Sequence, residues 1–228
     1  MKTIGLIGGM SWQSSAEYYR LINQRIHARL GGHNNARTLM LTVNFEEIET
    51  CLRSGDWDRI ASLVCQAARQ LEAGGADFVL LCTNTIHKVA AAIESAISVP
   101  FLHVVDATAA AVHRQGCRTV GLLGTRFVME QEFYRARLES LGLPVLVPEE
   151  PSRALIHRVI FDELCHGDLR DDSRRDLERM VTDLQQRGAE GVILGCTELS
   201  LLLHPERSAI PLFDTTAIHA DAAVAMSL

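Results

Sequence analysis

Thr3-Ile4-Gly5-Leu6-Ile7-Gly8 returns 116 residues later as Thr119-Val120-Gly121-Leu122-Leu123-Gly124. A second pair follows in the same order. Gly75-Ala76-Asp77-Phe78-Val79-Leu80-Leu81 matches Gly188-Ala189-Glu190-Gly191-Val192-Ile193-Leu194 at an offset of 113, close to half of the 228-residue chain. A third, weaker pair links Pro100-Phe101 and Asp106-Ala107-Thr108-Ala109 to Pro211-Leu212-Phe213-Asp214-Thr215-Thr216-Ala217. Three ordered matches at a nearly constant offset indicate internal duplication.

Short apolar runs at Ile4–Ile7, Leu39–Val43, Phe78–Cys82, Phe101–His103, Val120–Leu123, Val192–Gly195 and Leu212–Phe213 alternate with amphipathic stretches of helical length. That alternation indicates βαβ units around parallel sheets buried on both faces. The expected fold is therefore α/β: two similar βα domains with parallel sheets, related by a pseudo-twofold axis. Domains facing each other this way would gather strand C-termini and helix N-termini around a shared interdomain cleft, where a site is expected. The last segment repeats the piece that closes the first half. The expected boundaries are therefore 1–105 plus 208–228 for the N-terminal domain and 106–207 for the C-terminal domain.

Composition narrows the function. Apolar residues make up 47% of the chain, enough to build a core in either half. No run approaches the roughly 18 to 20 apolar residues of a membrane span, and the first ten residues lack the apolar region of a signal peptide. A cytoplasmic protein without a membrane partner is expected. The net charge of −6, with acids and bases interspersed, offers no footprint for nucleic acid. Six scattered cysteines without a CxxC pair fit a reducing compartment. The nine histidines form no HExxH or clustered ligand spacing, so no metal is expected. Lysine occurs only at positions 2 and 88, which disfavours a pyridoxal phosphate Schiff base. Gly5 to Gly9 is neither GxGxxG nor a P-loop, so no nucleotide is expected either.

Extending the second repeat without a gap lays Leu81-Cys82-Thr83-Asn84-Thr85 over Leu194-Gly195-Cys196-Thr197-Glu198. Cys196 then corresponds to Thr83, and Cys82, one residue earlier on the strand, should face the other way. Each segment runs from a strand end into a helix start near Thr85 or Glu198, where unpaired N–H groups stabilise negative charge. Such a setting is expected to lower the thiol pKa of Cys196 toward neutrality and make it a usable general base. His87 is expected to cap or pack rather than to relay a proton to Thr83. Asp106 and Asp214 are expected as helix N-caps. Arg126 and Tyr134 could approach the site, although nothing in the sequence forces this.

The chain resembles the aspartate/glutamate racemase family along essentially its whole length. The carrying motifs are Gly-Leu-Ile-Gly-Gly-Met at 5–10, Cys-Thr-Asn-Thr-Ile-His at 82–87, Leu-Gly-Thr-Arg at 123–126 and Gly-Cys-Thr-Glu at 195–198. The resemblance implies a cofactor-independent amino-acid racemase, a homodimer, and two residues serving opposite faces of the substrate α-carbon. Family members carry a cysteine immediately before Asn84-Thr85, where this chain has Thr83 and looks similar to a threonine-bearing branch. The implied catalytic pair is therefore Cys196 as base and Thr83 as opposing proton donor or relay, with preferential action on L-substrates. By motif position Met10, Asn84, Thr85, Thr197 and Glu198 are implied to line the substrate site. Arg53 is the candidate partner of a side-chain carboxylate. The second-domain lysine of some members has no counterpart at Leu164-Cys165-His166. Alternatives are related α-carbon chemistry of the hydantoin racemase, maleate isomerase or malonate decarboxylase type, or a non-catalytic amino-acid binder.

Overall fold

The computed structural model covers residues 1–228 and divides into two compact units, Met1–Val104 with His219–Leu228, and Val105–Ile218. No helix is long and apolar enough to cross a membrane.

The first unit is built on β1 (Ile4–Gly8), β2 (Thr38–Thr42), β3 (Phe78–Leu81) and β4 (Phe101–Leu102), all parallel, in the order β2-β1-β3-β4. Every residue of β1 and β3 is buried, whereas edge strand β2 is partly exposed. That contrast explains why the central strands read as unbroken apolar runs. The helices are α1 (Trp12–Leu30), α2 (Phe45–Ser54), α3 (Trp57–Ala73) and α4 (Ala90–Ala96). Polar residues start three of them: Ser11, Asn44 and Asp56 accept hydrogen bonds from the Ser14, Glu46 and Arg59 amides. On α3, Ile60, Val64, Ala67, Ala68 and Leu71 recur at helical spacing and pack with Ile7, Val79 and Leu81 into the unit's core. Between β1 and α1 the chain turns at Gly9, whose φ is +93° and whose Cβ, if present, would lie 2.2 Å from the Val43 carbonyl oxygen. Only glycine fits that turn.

The second unit repeats the plan with β5 (Val120–Gly124), β6 (Val145–Leu146), β7 (Gly191–Gly195) and β8 (Leu212–Asp214), ordered β6-β5-β7-β8. Its helical segments are α5 (Val104–Arg114), α6 (Arg126–Glu130), α7 (Glu132–Ser140), α8 (Ser152–Arg158) and α9 (Asp171–Gln186), and α10 (Thr215–Ser227) follows β8. Leu177, Met180, Val181 and Leu184 of α9 pack with Leu123, Val192 and Leu194, as α3 does in the first unit. The expected two-domain α/β architecture with parallel sheets is therefore observed. The sequence reading lacks only β6, a two-residue strand that, unlike the equally short β4, lies outside the three repeated matches.

The duplication extends to strand register. Ile4 pairs with Phe78 and Ile7 with Leu81, while Val120 pairs with Gly191 and Leu123 with Leu194. These pairs obey the two offsets read from the sequence, so the ungapped alignment holds through Leu81 and Leu194, two residues before Thr83 and Cys196.

The return crossing differs from the expected one. Pairing of Leu212–Asp214 with β7 keeps β8 in the second sheet, and the chain re-enters the first unit only at His219, not at 208. The first crossing lies at Val104 to Val105, at the start of α5, and the second lies one turn into α10. Each sheet keeps its fourth strand, and the helix after that strand carries the chain onward.

Candidate active site

In each sheet the connection reverses direction between the first and third strands, and the loops leaving those strands lie side by side. In the first unit this places Met10, beyond β1, near Thr83, Asn84 and Thr85, beyond β3. In the second unit it places Thr125 and Arg126, beyond β5, near Cys196, Thr197 and Glu198, beyond β7.

Thr83 is half-buried just past β3, before the 3-10 turn Thr85–Val89. Asn84 and Met10 are buried. His87 holds this segment: its Nε2 accepts from the Val104 amide at 3.2 Å, so the ring proton sits on Nδ1, which donates to the Thr83 carbonyl oxygen at 2.8 Å. Both ring nitrogens serve main-chain partners, which gives His87 the positioning role expected of it. His103 lies with its ring 4.6 Å from that of His87. His219 lies 6.0 Å from His87, donates from Nε2 to the Leu102 carbonyl and accepts at Nδ1 from the Tyr18 hydroxyl. Burial lowers the His219 pKa to about 4. Cys82, next to Thr83, is fully buried, and burial pushes its thiol far above the ordinary cysteine range.

Cys196 is half-buried, with extended backbone, and precedes a single 3-10 turn, Thr197–Leu201. Its Sγ donates to Glu198 Oε2 at 2.9 Å, and the Thr197 hydroxyl donates to the same oxygen at 2.7 Å. The thiol pKa is raised well above its ordinary value, first by burial and then by the Glu198 charge and its hydrogen bond; the Glu198 main-chain N–H pulls weakly the other way. The lowering expected from a helix start is thus reversed. One 3-10 turn carries little dipole, and a carboxylate within hydrogen-bond distance outweighs it. Cys165 packs on the same apolar cluster as Cys196, and burial followed by the Glu198 charge pushes its thiol up to about 12.

The remaining candidates are placed differently. Arg53, in the last turn of α2, is largely exposed and held by Glu49 at 2.7 Å and Glu46 at 3.4 Å. Arg126 is half-exposed and pairs with Glu130 at 3.2 Å, while Tyr134 is fully buried. Asp214 caps α10 by accepting from the Thr216 and Ala217 amides. Asp106, expected as a cap, lies inside the first turn of α5 and binds Arg137 through both carboxylate oxygens at 2.6 and 2.7 Å, because the helix begins two residues earlier. Sequence reasoning misses two neighbours of the site. Cys165 stands out in the sequence only as the absence of a lysine, and Thr125, buried and capping α6, is legible only as part of Leu-Gly-Thr-Arg.

A duplicated four-stranded parallel α/β plan, with polar and thiol side chains at the ends of its central strands, defines the class. Residues 7–223 match the family described as Asp/Glu/Hydantoin racemase, and the chain belongs to that family. It is similar to a provisionally assigned Asp/Glu racemase of Yersinia pestis, 46% identical with a TM-score of 0.95 over 100% of this chain and 99% of the other. An aspartate racemase homologue of Pyrococcus horikoshii is 31% identical with a TM-score of 0.89, over 100% and 99% of the two chains. The broad specificity amino-acid racemase RacX of Bacillus subtilis is 24% identical over 226 residues, 99% of this chain and 98% of RacX.

Proposed function

We propose that the chain is a cofactor-independent racemase of aspartate and glutamate. Cys196 takes the α-proton from the L-face, and Thr83 supplies or relays a proton to the opposite face of the α-carbon. The observation that carries this reading is the repeated register: the same position past the third strand of each sheet holds Thr83 in one unit and Cys196 in the other. Met10, Asn84, Thr85, Thr197 and Glu198 line the substrate, with the amide and hydroxyl donors serving its α-carboxylate. A threonine hydroxyl is a far weaker base than a thiolate, so D-substrates are processed slowly or not at all. The protein is further read as a cytoplasmic homodimer, a setting compatible with six unpaired cysteines.

A broader side-chain tolerance is the second reading, favoured by the state of Arg53. To bind a side-chain carboxylate, Arg53 must leave Glu49, and the second unit offers Cys165 where some family members carry lysine.

The test is incubation in D₂O, without added cofactor, with each enantiomer of aspartate, glutamate and a panel of neutral amino acids, following α-proton loss by NMR and chirality by chromatography. Exchange confined to L-aspartate and L-glutamate supports the first reading. Comparable exchange on neutral L-amino acids supports the second, and no exchange on any of them removes both.

A further inference from the structure

We propose that Glu198 is the proton acceptor of the Cys196 thiol, so that the base is a thiol–carboxylate pair whose sulfur becomes thiolate only by moving its proton onto Glu198. The inference rests on the reading of Cys196 as the base that attacks the substrate's α-proton.

Geometry motivates it. Glu198 Oε2 receives the Cys196 S–H at 2.9 Å and the Thr197 O–H at 2.7 Å, so that oxygen acts only as an acceptor and stands ready to take the thiol proton. Burial and the facing negative charge keep the proton on sulfur at rest. For the sulfur to act, this proton must leave, and the atom already hydrogen-bonded to it is Oε2. The step is Cys196–SH plus Glu198–COO⁻ going to Cys196–S⁻ plus Glu198–COOH. The pair carries one negative charge before and after, so no new charge is created in a half-buried site. Cys165 is the other titratable group facing this carboxylate. It stays neutral through the working range and adds no charge.

The proton count closes. The thiolate takes the α-proton, forming S–H and leaving the C–H electron pair on the substrate. Water, relayed by the Thr83 hydroxyl, protonates the opposite face and becomes hydroxide. The proton released by Glu198 neutralises that hydroxide, which restores the thiol and the carboxylate. Glu198 thereby serves the sulfur that does the chemistry as well as lining the substrate site.

A proton that moves within the pair makes the base independent of pH, and the full-length chain can be tested on that point. In the wild type, kcat/KM for α-proton exchange on L-aspartate and L-glutamate should be flat between about pH 6.5 and 8.5. Glu198→Gln keeps the shape and an acceptor oxygen but cannot take the proton. It should lose about 10²-fold at neutral pH and gain about tenfold per pH unit, as its thiol ionises to solvent instead. Glu198→Asp should keep the flat profile at a lower level. Alkylation of Cys196 by iodoacetamide, read by peptide mass spectrometry, needs no substrate. Because the same sulfur anion attacks the reagent, the rate should be flat with pH in the wild type, and in Glu198→Gln it should be slower at neutral pH and rise about tenfold per pH unit.

A Glu198→Gln variant with wild-type rate and profile overturns the proposal, as does one whose alkylation keeps the pH dependence of the wild type. If that variant does not fold, the pH dependence of Cys196 alkylation in the wild type decides. A rise of about tenfold per pH unit between about pH 6.5 and 8.5 overturns the proposal, and a flat rate supports it. Absence of exchange on every amino acid with the wild type removes the racemase reading and the place of Glu198 in it. A failure in the alkylation arm alone removes only Glu198.

Discussion

Burial first, and then a carboxylate two residues along the chain, keeps the proton on the sulfur of Cys196. Cys196→Ser removes the ionisable sulfur with little change of volume. Exchange on L-aspartate and L-glutamate should fall by about 10² to 10⁴-fold, measured by NMR, while the melting temperature stays nearly unchanged. At His87 the expected effect is on stability. His87→Ala leaves the Val104 amide and the Thr83 carbonyl without their partner and opens a cavity, so urea unfolding should show a loss of about 2 to 4 kcal/mol. His87→Gln, which offers both a donor and an acceptor, should recover part of it. The identity of Thr83 and Cys196 as equivalent positions was legible in the sequence because strand registers repeat with the duplication. The protonation of Cys196 was not, since it depends on burial and on where one carboxylate points.

At the scale of elements, glycine at the β1–α1 turn and apolar spacing on α3 and α9 carry the arrangement. Gly9→Ala places a methyl against the Val43 carbonyl, whereas at Gly55, also at positive φ, an added methyl would meet no atom within 4 Å. Both substitutions carry a left-handed backbone cost of about 1 to 2 kcal/mol. Only Gly9→Ala adds a clash, so urea denaturation should show it to be the more destabilising of the two. The central strands, the duplicated order and the helix faces were all readable, because burial on both faces writes itself as unbroken apolar runs. The short strand β6 and the start of α5 at Val104 were not, because β6 lies outside the repeated matches and helix ends are set by local hydrogen bonds.

For the whole molecule, the C-terminal segment His219–Leu228 belongs with the first unit, far from it in sequence. The Tyr18 hydroxyl bonds His219, Arg25 pairs with Asp221 at 2.7 Å, and the Lys2 amide donates to the Ser227 carbonyl. His219 makes that closure sensitive to acid. Its folded pKa of about 4 lies below the ordinary 6.5, so the unfolded chain binds the proton first. The contribution is present in full above about pH 6.5, is lost as pH falls, and is gone below about pH 4, a total of roughly 3 kcal/mol. Urea unfolding at several pH values should show this slope in the wild type and a shallower one in His219→Gln, whatever the stability of that variant at neutral pH.

By itself, the sequence determined the α/β class, the duplication, the family and the two equivalent strand-end positions, because each is encoded in local order and apolar spacing. The tertiary structure alone decided that β8 stays with the second sheet, that Arg53 is held by Glu49, that His87 spans Thr83 and Val104, and that Glu198 faces the Cys196 sulfur. Those outcomes depend on distances between side chains and on burial, which arise only when the chain is packed.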